Sequence, residues 1–164
     1  MTPGDLPQVQ ILADTIHVGH LEDFHVLAER QRLYPQGCLM LTEDEQAIGY
    51  ALTHPWSLGE PPPLNQLLGE LPAAPTTYYI HDVALRPEAR GRGYAVQAAD
   101  RLVAHARAAG FDNLSLVAVN GSRAFWERVG FRVMALTGLA AKLASYGPDA
   151  VLMVHDLASP IRDA

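Results

Sequence analysis

The run Arg90-Gly91-Arg92-Gly93-Tyr94-Ala95 constrains this chain more than any other stretch. It stands between a strand-like segment, Thr77 to Leu85, rich in β-branched and aromatic residues, and a helical one rich in alanine. Glycines at 91 and 93 let the backbone approach a bulky anion with no Cβ in the way. The free N–H groups of the helix's first turn then face that anion, backed by the positive end of the helix dipole. A strand, a basic glycine-rich turn and a helix describe a site for phosphate or pyrophosphate.

The remaining periodicity fills in a sheet around that unit. Val9 to Ile11 is short and apolar and predicts a first strand. Leu21, Phe24, Leu27 and Ala28 recur at helical spacing as far as Arg32, and Pro35 stops them. Cys38 to Leu41 and Ala47 to Thr53 flank the polar turn Glu43-Asp44-Glu45 and predict a hairpin. From Pro55 to Pro75 prolines and glycines dominate, so we expect a long ordered loop over a site, with Leu64, Leu67, Leu68 and Leu71 on one amphipathic turn. In the next helix Ala95, Ala98, Ala99, Leu102, Ala106 and Ala109 share a face, and Gly110 caps its end. Leu114 to Val119 reads as a strand buried on both faces. Asn120-Gly121-Ser122 leads into a short helix through Trp126, closed by Gly130. Phe131 to Leu136 and Val151 to Val154 predict two last strands. No repeat or boundary divides the chain, so residues 1–158 make one α/β domain with a mixed sheet, followed by a frayed tail, 159–164.

Bulk properties narrow the function classes. With 164 residues and 49% hydrophobic content, the chain can bury one core but hardly two. A net charge of -6 argues against wholesale nucleic-acid binding and mildly favours cationic substrates. No apolar run is long enough for a membrane span, and Met1 to Asp5 lacks the pattern of a signal peptide. The single cysteine, Cys38, fits a reducing cytoplasm and the core better than a nucleophile's role. His17, His20 and His25 lack the partners of a metal site and predict surface positions.

The stretch from Tyr78 to Phe131 resembles the GCN5-related N-acetyltransferases, the GNAT superfamily. The resemblance rests on a strand followed by R/Q-x-x-G-x-G/A at a helix start, matched by Arg90, Gly93 and Ala95. A second motif, N/S followed by F-Y/W-x-x-x-G-F, is matched by Asn120, Ser122, Phe125-Trp126 and Gly130-Phe131. Two motifs in the right order and elements make a specific signal.

The resemblance implies an α+β fold: a mixed, mostly antiparallel sheet flanked by helices, with a splayed central strand pair. It also implies acetyl-CoA as co-substrate. Its pyrophosphate would lie on Arg90, Gly91, Arg92, Gly93, Tyr94, Ala95 and Val96. Its pantetheine arm would lie along Val83, Ala84 and Leu85, with Asn120, Ser122 and Trp126 beyond. The family often has a tyrosine where Trp126 stands, and that tyrosine protonates the departing thiolate. Indole donates a hydrogen bond but is no proton acid at neutral pH.

Candidates for the chemistry follow. Strand alternation puts Tyr79 and His81 on one face, with Ile80 and Asp82 on the other. One branch of the superfamily carries histidines at positions matching 79 and 81, beside the reacting amine. An imidazole, which ordinarily titrates near ~6.5, suits removal of a proton from an ammonium group, which makes His81 the candidate base. Tyr146, before the last strand, is the candidate replacement acid. The expected activity is direct transfer of acetyl to a small-molecule amine, an amino acid or a peptide N-terminus, in the cytoplasm, by a monomer or homodimer without metal. A catalytically idle acyl-CoA sensor and a Rossmann-type nucleotide domain are the alternatives. The second lacks an acidic ribose ligand, since the strand at Leu114 ends in Asn120.

Overall fold

The computed structural model describes residues 1–19 and 21–157. The chain runs α1 (Leu6–Ile16), α2 (Phe24–Leu33), β1 (Cys38–Glu43), β2 (Gln46–Trp56), β3 (Thr77–Leu85), α3 (Tyr94–Ala108) and β4 (Asn113–Ala118). It continues through α4 (Arg123–Arg128), β5 (Arg132–Val133), α5 (Ala140–Ala144) and β6 (Val151–Asp156). One six-stranded sheet has the order β1-β2-β3-β4-β6-β5. Only β3 and β4 are parallel; every other neighbouring pair is antiparallel. The expected α+β fold is thus present, and its helices cover both faces of the sheet. Among the described residues no helix is long and apolar enough to cross a membrane. The expected tail at 159–164 and the expectation for His20 fall outside the described residues.

Two cores hold the layers together. On one face α3 lays Ala99, Leu102 and Ala106 against Tyr78, Ile80, Leu114 and Leu116. The alanines keep the helix close to the sheet, and Leu102 fills the seam, a burial worth about 1.5–3 kcal/mol. On the other face α1 sets Val9, Leu12 and Ala13, with Leu27 of α2, against Tyr50, Leu52 and Ala84. The strand expected at Val9 to Ile11 is therefore helix. Three residues alternate locally as a strand would, but burial at Leu6, Val9, Leu12 and Ala13 follows the helical period, and Ile11 is exposed.

Other expectations shift for equally physical reasons. The hairpin forms, with Asp44 and Glu45 both at positive φ (48° and 65°) in its tight turn. The strand expected over Phe131 to Leu136 shrinks to Arg132–Val133, where the edge pairs with β6, and an unexpected short helix, α5, follows. The loop between β2 and β3 is ordered but forms no helical turn at Leu64 to Leu71, and Leu67 is exposed. Buried polar groups hold it instead. Glu29 accepts the N–H groups of Leu68 and Gly69, and Arg30, wholly buried, bonds Glu29 and the Gln66 carbonyl. A charge without exposure needs such partners, and α2 supplies them.

The largest departure lies inside β3. Leu52 pairs with Asp82 and Thr53 with Ile80, so His81 is an extra residue in the ladder. This bulge resets the alternation. Tyr79, His81, Asp82 and Ala84 all turn toward the α1–α2 face, while Tyr78, Ile80 and Val83 join the α3 core. The expected separation of His81 from Asp82 does not hold.

Candidate active site

Strands β3 and β4 pair only at Tyr78–Leu114 and Tyr79–Ser115, and beyond these residues they part. The Arg86 N–H donates to the Ile48 carbonyl of β2. By alternation Ala84 also faces β2, so the backbone groups of Val83 and Leu85 point into the gap. These N–H and C=O groups are free to pair with an extended ligand that takes the place of a missing strand.

A groove of about 490 Å³ occupies this gap. Val83, Ala84, Leu85, Arg90, Ala95, Asn120, Ser122 and Trp126 line it, together with His81. At one end lies the glycine-rich turn, with Gly91 at φ 75° and Gly93 at φ 81°, a region that disfavours side chains. A Cβ at either glycine would meet nothing within 4 Å, so the turn is an open cradle ahead of the 15-residue helix α3. The width of the gap, the unpaired strand edge and the cradle together fit an acyl-CoA.

The basic side chains divide their work. Arg90 lines the groove, whereas Arg92 makes two hydrogen bonds to Glu43 (2.9 and 2.5 Å) and lies over the Tyr94 ring. Tyr94 itself bonds Glu43, and Val96 is exposed on α3. Trp126 is buried, edge-on to Phe125 and Phe131.

Where the groove reaches the α1–α2 face it meets a smaller cavity of about 80 Å³. His17, His81, Asp82, Val117, Val119 and Asn120 line both spaces. The cavity adds Tyr79 and Tyr146, so the three residues expected to carry the chemistry do converge. It also adds a carboxylate that the sequence did not single out, Glu22. Its Oε2 lies 2.8 Å from His81 Nε2, across 59 residues of chain. Burial pushes the Glu22 carboxyl upward, but His81 and the Asn65 N–H more than offset it, and the group is held down at about 2.

A second imidazole–carboxylate pair faces the first. His17, at the C-terminus of α1, places Nε2 at 3.0 Å from an Asp82 oxygen, and Tyr50 donates its hydroxyl to the same carboxylate. The Asp82 hydrogen bond raises the His17 pKa against the opposing effect of burial. His17 is therefore half-buried in the site and not a surface histidine.

The two tyrosines are committed to each other and to the loop. Tyr146 donates to the Pro62 carbonyl, and the Tyr79 hydroxyl lies against that of Tyr146. Burial drives the Tyr146 hydroxyl up to about 12. His54, beside Tyr79 and His81, is wholly buried and shifted down to about 3 by burial, so it stays neutral.

Glu22, His17 and Asp82 are what the sequence reading missed. Glu22 carries no local signal because its partner is distant in the chain, and Asp82 was set aside by an alternation that the bulge breaks.

Comparison with known proteins adds the wider context. The profile of the acetyltransferase (GNAT) family matches residues 9–131. Among curated proteins none matches. Similar solved structures include the GphF GNAT-like decarboxylase in complex with isobutyryl-CoA, at TM-score 0.81 and 16% identity, covering 96% of this chain and 97% of that one. The loading GNATL domain of CurA from Lyngbya majuscula gives TM-score 0.78 at 14% identity, over 95% of this chain and 94% of that one. The ribosomal-protein-S18-alanine N-acetyltransferase from Escherichia coli gives 0.68 at 15% identity, over 100% and 95%. At such identities these likenesses speak for the fold. The profile match spans most of α1, the splayed strands, the glycine-rich turn and α4, and through it this chain belongs to the acetyltransferase (GNAT) family.

Proposed function

We propose that this protein transfers the acetyl group of acetyl-CoA to the amine of a small molecule by direct attack. The observation that carries the reading is the His81–Glu22 pair, 2.8 Å apart, where the groove and the small cavity meet. Arg90, the turn's N–H groups and the free edge of β3 hold the co-substrate. The Val83 N–H faces the position of the thioester oxygen and stabilises the negative charge that develops there. His81 takes the proton of the attacking nitrogen, and Glu22 fixes the orientation of its ring and stabilises the resulting cation. Alignment of amine and thioester supplies much of the rate, up to ~7–11 kcal/mol in favourable cases.

The cavity limits the acceptor. Its volume of about 80 Å³, open on the groove side, suits a slim group beside the thioester better than a bulky ring. An amino acid side chain or a peptide N-terminus would insert only its first atoms.

A panel of such amines, assayed by release of free thiol from acetyl-CoA, tests this directly. His81→Gln should lower turnover by roughly 10²-fold while acetyl-CoA still binds. Acetyl-CoA binding with no thiol release from any amine would favour an idle sensor.

One observation favours a second reading. Trp126 cannot protonate a departing thiolate, and a reaction that keeps the thioester intact needs no such acid. The structural neighbour GphF is a GNAT-like decarboxylase. In that chemistry the C–C bond to a carboxylate breaks, and its electron pair enters the thioester carbonyl. The Val83 N–H holds the oxygen, and a histidine returns a proton to carbon. Release of carbon dioxide from malonyl-CoA, without free thiol, would select it over amine transfer.

A further inference from the structure

Acyl transfer from a thioester moves two protons: one leaves the nitrogen and one must reach the sulfur. On the transfer reading the first goes to His81. The second has few possible sources. The Trp126 indole is no acid, the Tyr146 proton is held by the Pro62 carbonyl, and the Tyr79 hydroxyl is turned to Tyr146. We infer that His17, held by Asp82, is the proton donor to the departing sulfur. His17 lines both the groove and the small cavity, so it borders the point where the C–S bond lies. Its Nε2 is occupied by Asp82, while among the described residues its Nδ1 meets no hydrogen-bond partner and is free to donate.

The bulge at His81 makes this possible. Without it Asp82 would face the α3 core. With it Asp82 turns to the same face as His81 and receives both His17 and Tyr50. Tyr50 fixes the carboxylate from β2, so His17 is oriented from the sheet as well as from its own helix.

The atoms balance. The N–C bond forms, the C–S bond breaks, the nitrogen's proton passes to His81, and the sulfur's electron pair takes the proton of the His17 imidazolium. His81 ends protonated and His17 neutral. Exchange with solvent resets both, and a quarter of the His17 side chain is exposed to permit it. The charged groups facing His17 are Asp82 and His81 from β3, Glu22 from the α1–α2 connection and Arg90 from the turn. Asp82 and Glu22 favour the imidazolium and Arg90 opposes it, with the balance toward the charged form.

This inference rests on the transfer reading, but one readout does not depend on finding the amine. CoA bound to the intact protein can be titrated by the ultraviolet absorbance of its thiolate. An imidazolium beside the sulfur should lower the bound thiol's pKa by about one unit or more from its ordinary ~8.5. In His17→Asn the bound thiol should titrate as free CoA does, in a protein that circular dichroism shows is still folded and that still binds CoA. Asp82→Asn should weaken the effect by lowering the His17 pKa. With an amine in hand, His17→Asn should reduce kcat by ~10-fold or more and remove the alkaline limb of its pH profile. Equal thiolate titration in wild type and His17→Asn would overturn the proposal. A lowered thiol pKa with no amine transfer would instead place His17 at the sulfur and count against the transfer reading alone.

Discussion

His81 and Asp82 are consecutive on a β-strand, yet both face the same cavity, because the ladder opposite Leu52 carries one residue too many. Two histidine–carboxylate pairs thereby meet across one small space: His81 with Glu22 and His17 with Asp82. Each pair joins a strand to the α1–α2 segment, so docking of these helices assembles the site as well as the core.

The first pair links the site to acid stability. Glu22 titrates at about 2 in the folded protein against an ordinary 4.5, so its folded pKa is depressed. A depressed carboxyl stabilises the fold above the unfolded pKa, and that stability is lost as pH falls from 4.5 toward 2. The contribution is about 3 kcal/mol at neutral pH. Glu22→Gln should lower Tm near pH 7 and flatten its decline between pH 4.5 and 2, as thermal melts across that range would show. An unchanged acid slope would mean that the pair contributes nothing to folding.

The Arg30–Glu29 pair ties the loop between β2 and β3 to α2. Glu29→Ala leaves a wholly buried guanidinium short of its carboxylate and frees the Leu68 and Gly69 amides. It should cost about 3–5 kcal/mol. Replacing both, Glu29→Gln together with Arg30→Met, leaves no uncompensated buried charge and should cost less. Denaturant melts of both variants give the comparison, and a larger loss for the double variant would contradict it.

Tyr146→Phe separates an anchor from an acid. The hydroxyl holds the Pro62 carbonyl, so its loss should loosen the loop, speed proteolysis within residues 57–76 and raise the acceptor KM. The stability cost should be about 1 kcal/mol. A loss confined to kcat, with the loop still protected, would return Tyr146 to the role of acid.

Gly93 tests the cradle. Its φ of 81° makes a Cβ strained by roughly 1–2 kcal/mol, and that Cβ would project into open space where the turn's amides face a ligand. Gly93→Ala should weaken CoA binding by ~10-fold or more, while the residual fold keeps its circular dichroism. Calorimetric titration measures the affinity, and unchanged binding would remove the turn from the phosphate site.

What the sequence determined alone is local. The glycine-rich turn, the alanine face of α3, the Glu43–Glu45 hairpin and the N-F-W-G-F spacing each depend on neighbours within a few residues. Backbone freedom, helical period and turn chemistry therefore mark them in the chain. Val83 to Leu85 and Arg90, which line the groove, lie within the same local stretch as that turn. What tertiary structure decided is everything that joins distant segments. Val9 to Ile11 became helix because its burial extends over two turns. Glu22 found His81 across 59 residues, and one extra residue in β3 moved Asp82 to the other face of the sheet. A three-residue alternation holds no record of such a bulge, since the misfit arises only when β2 lies alongside.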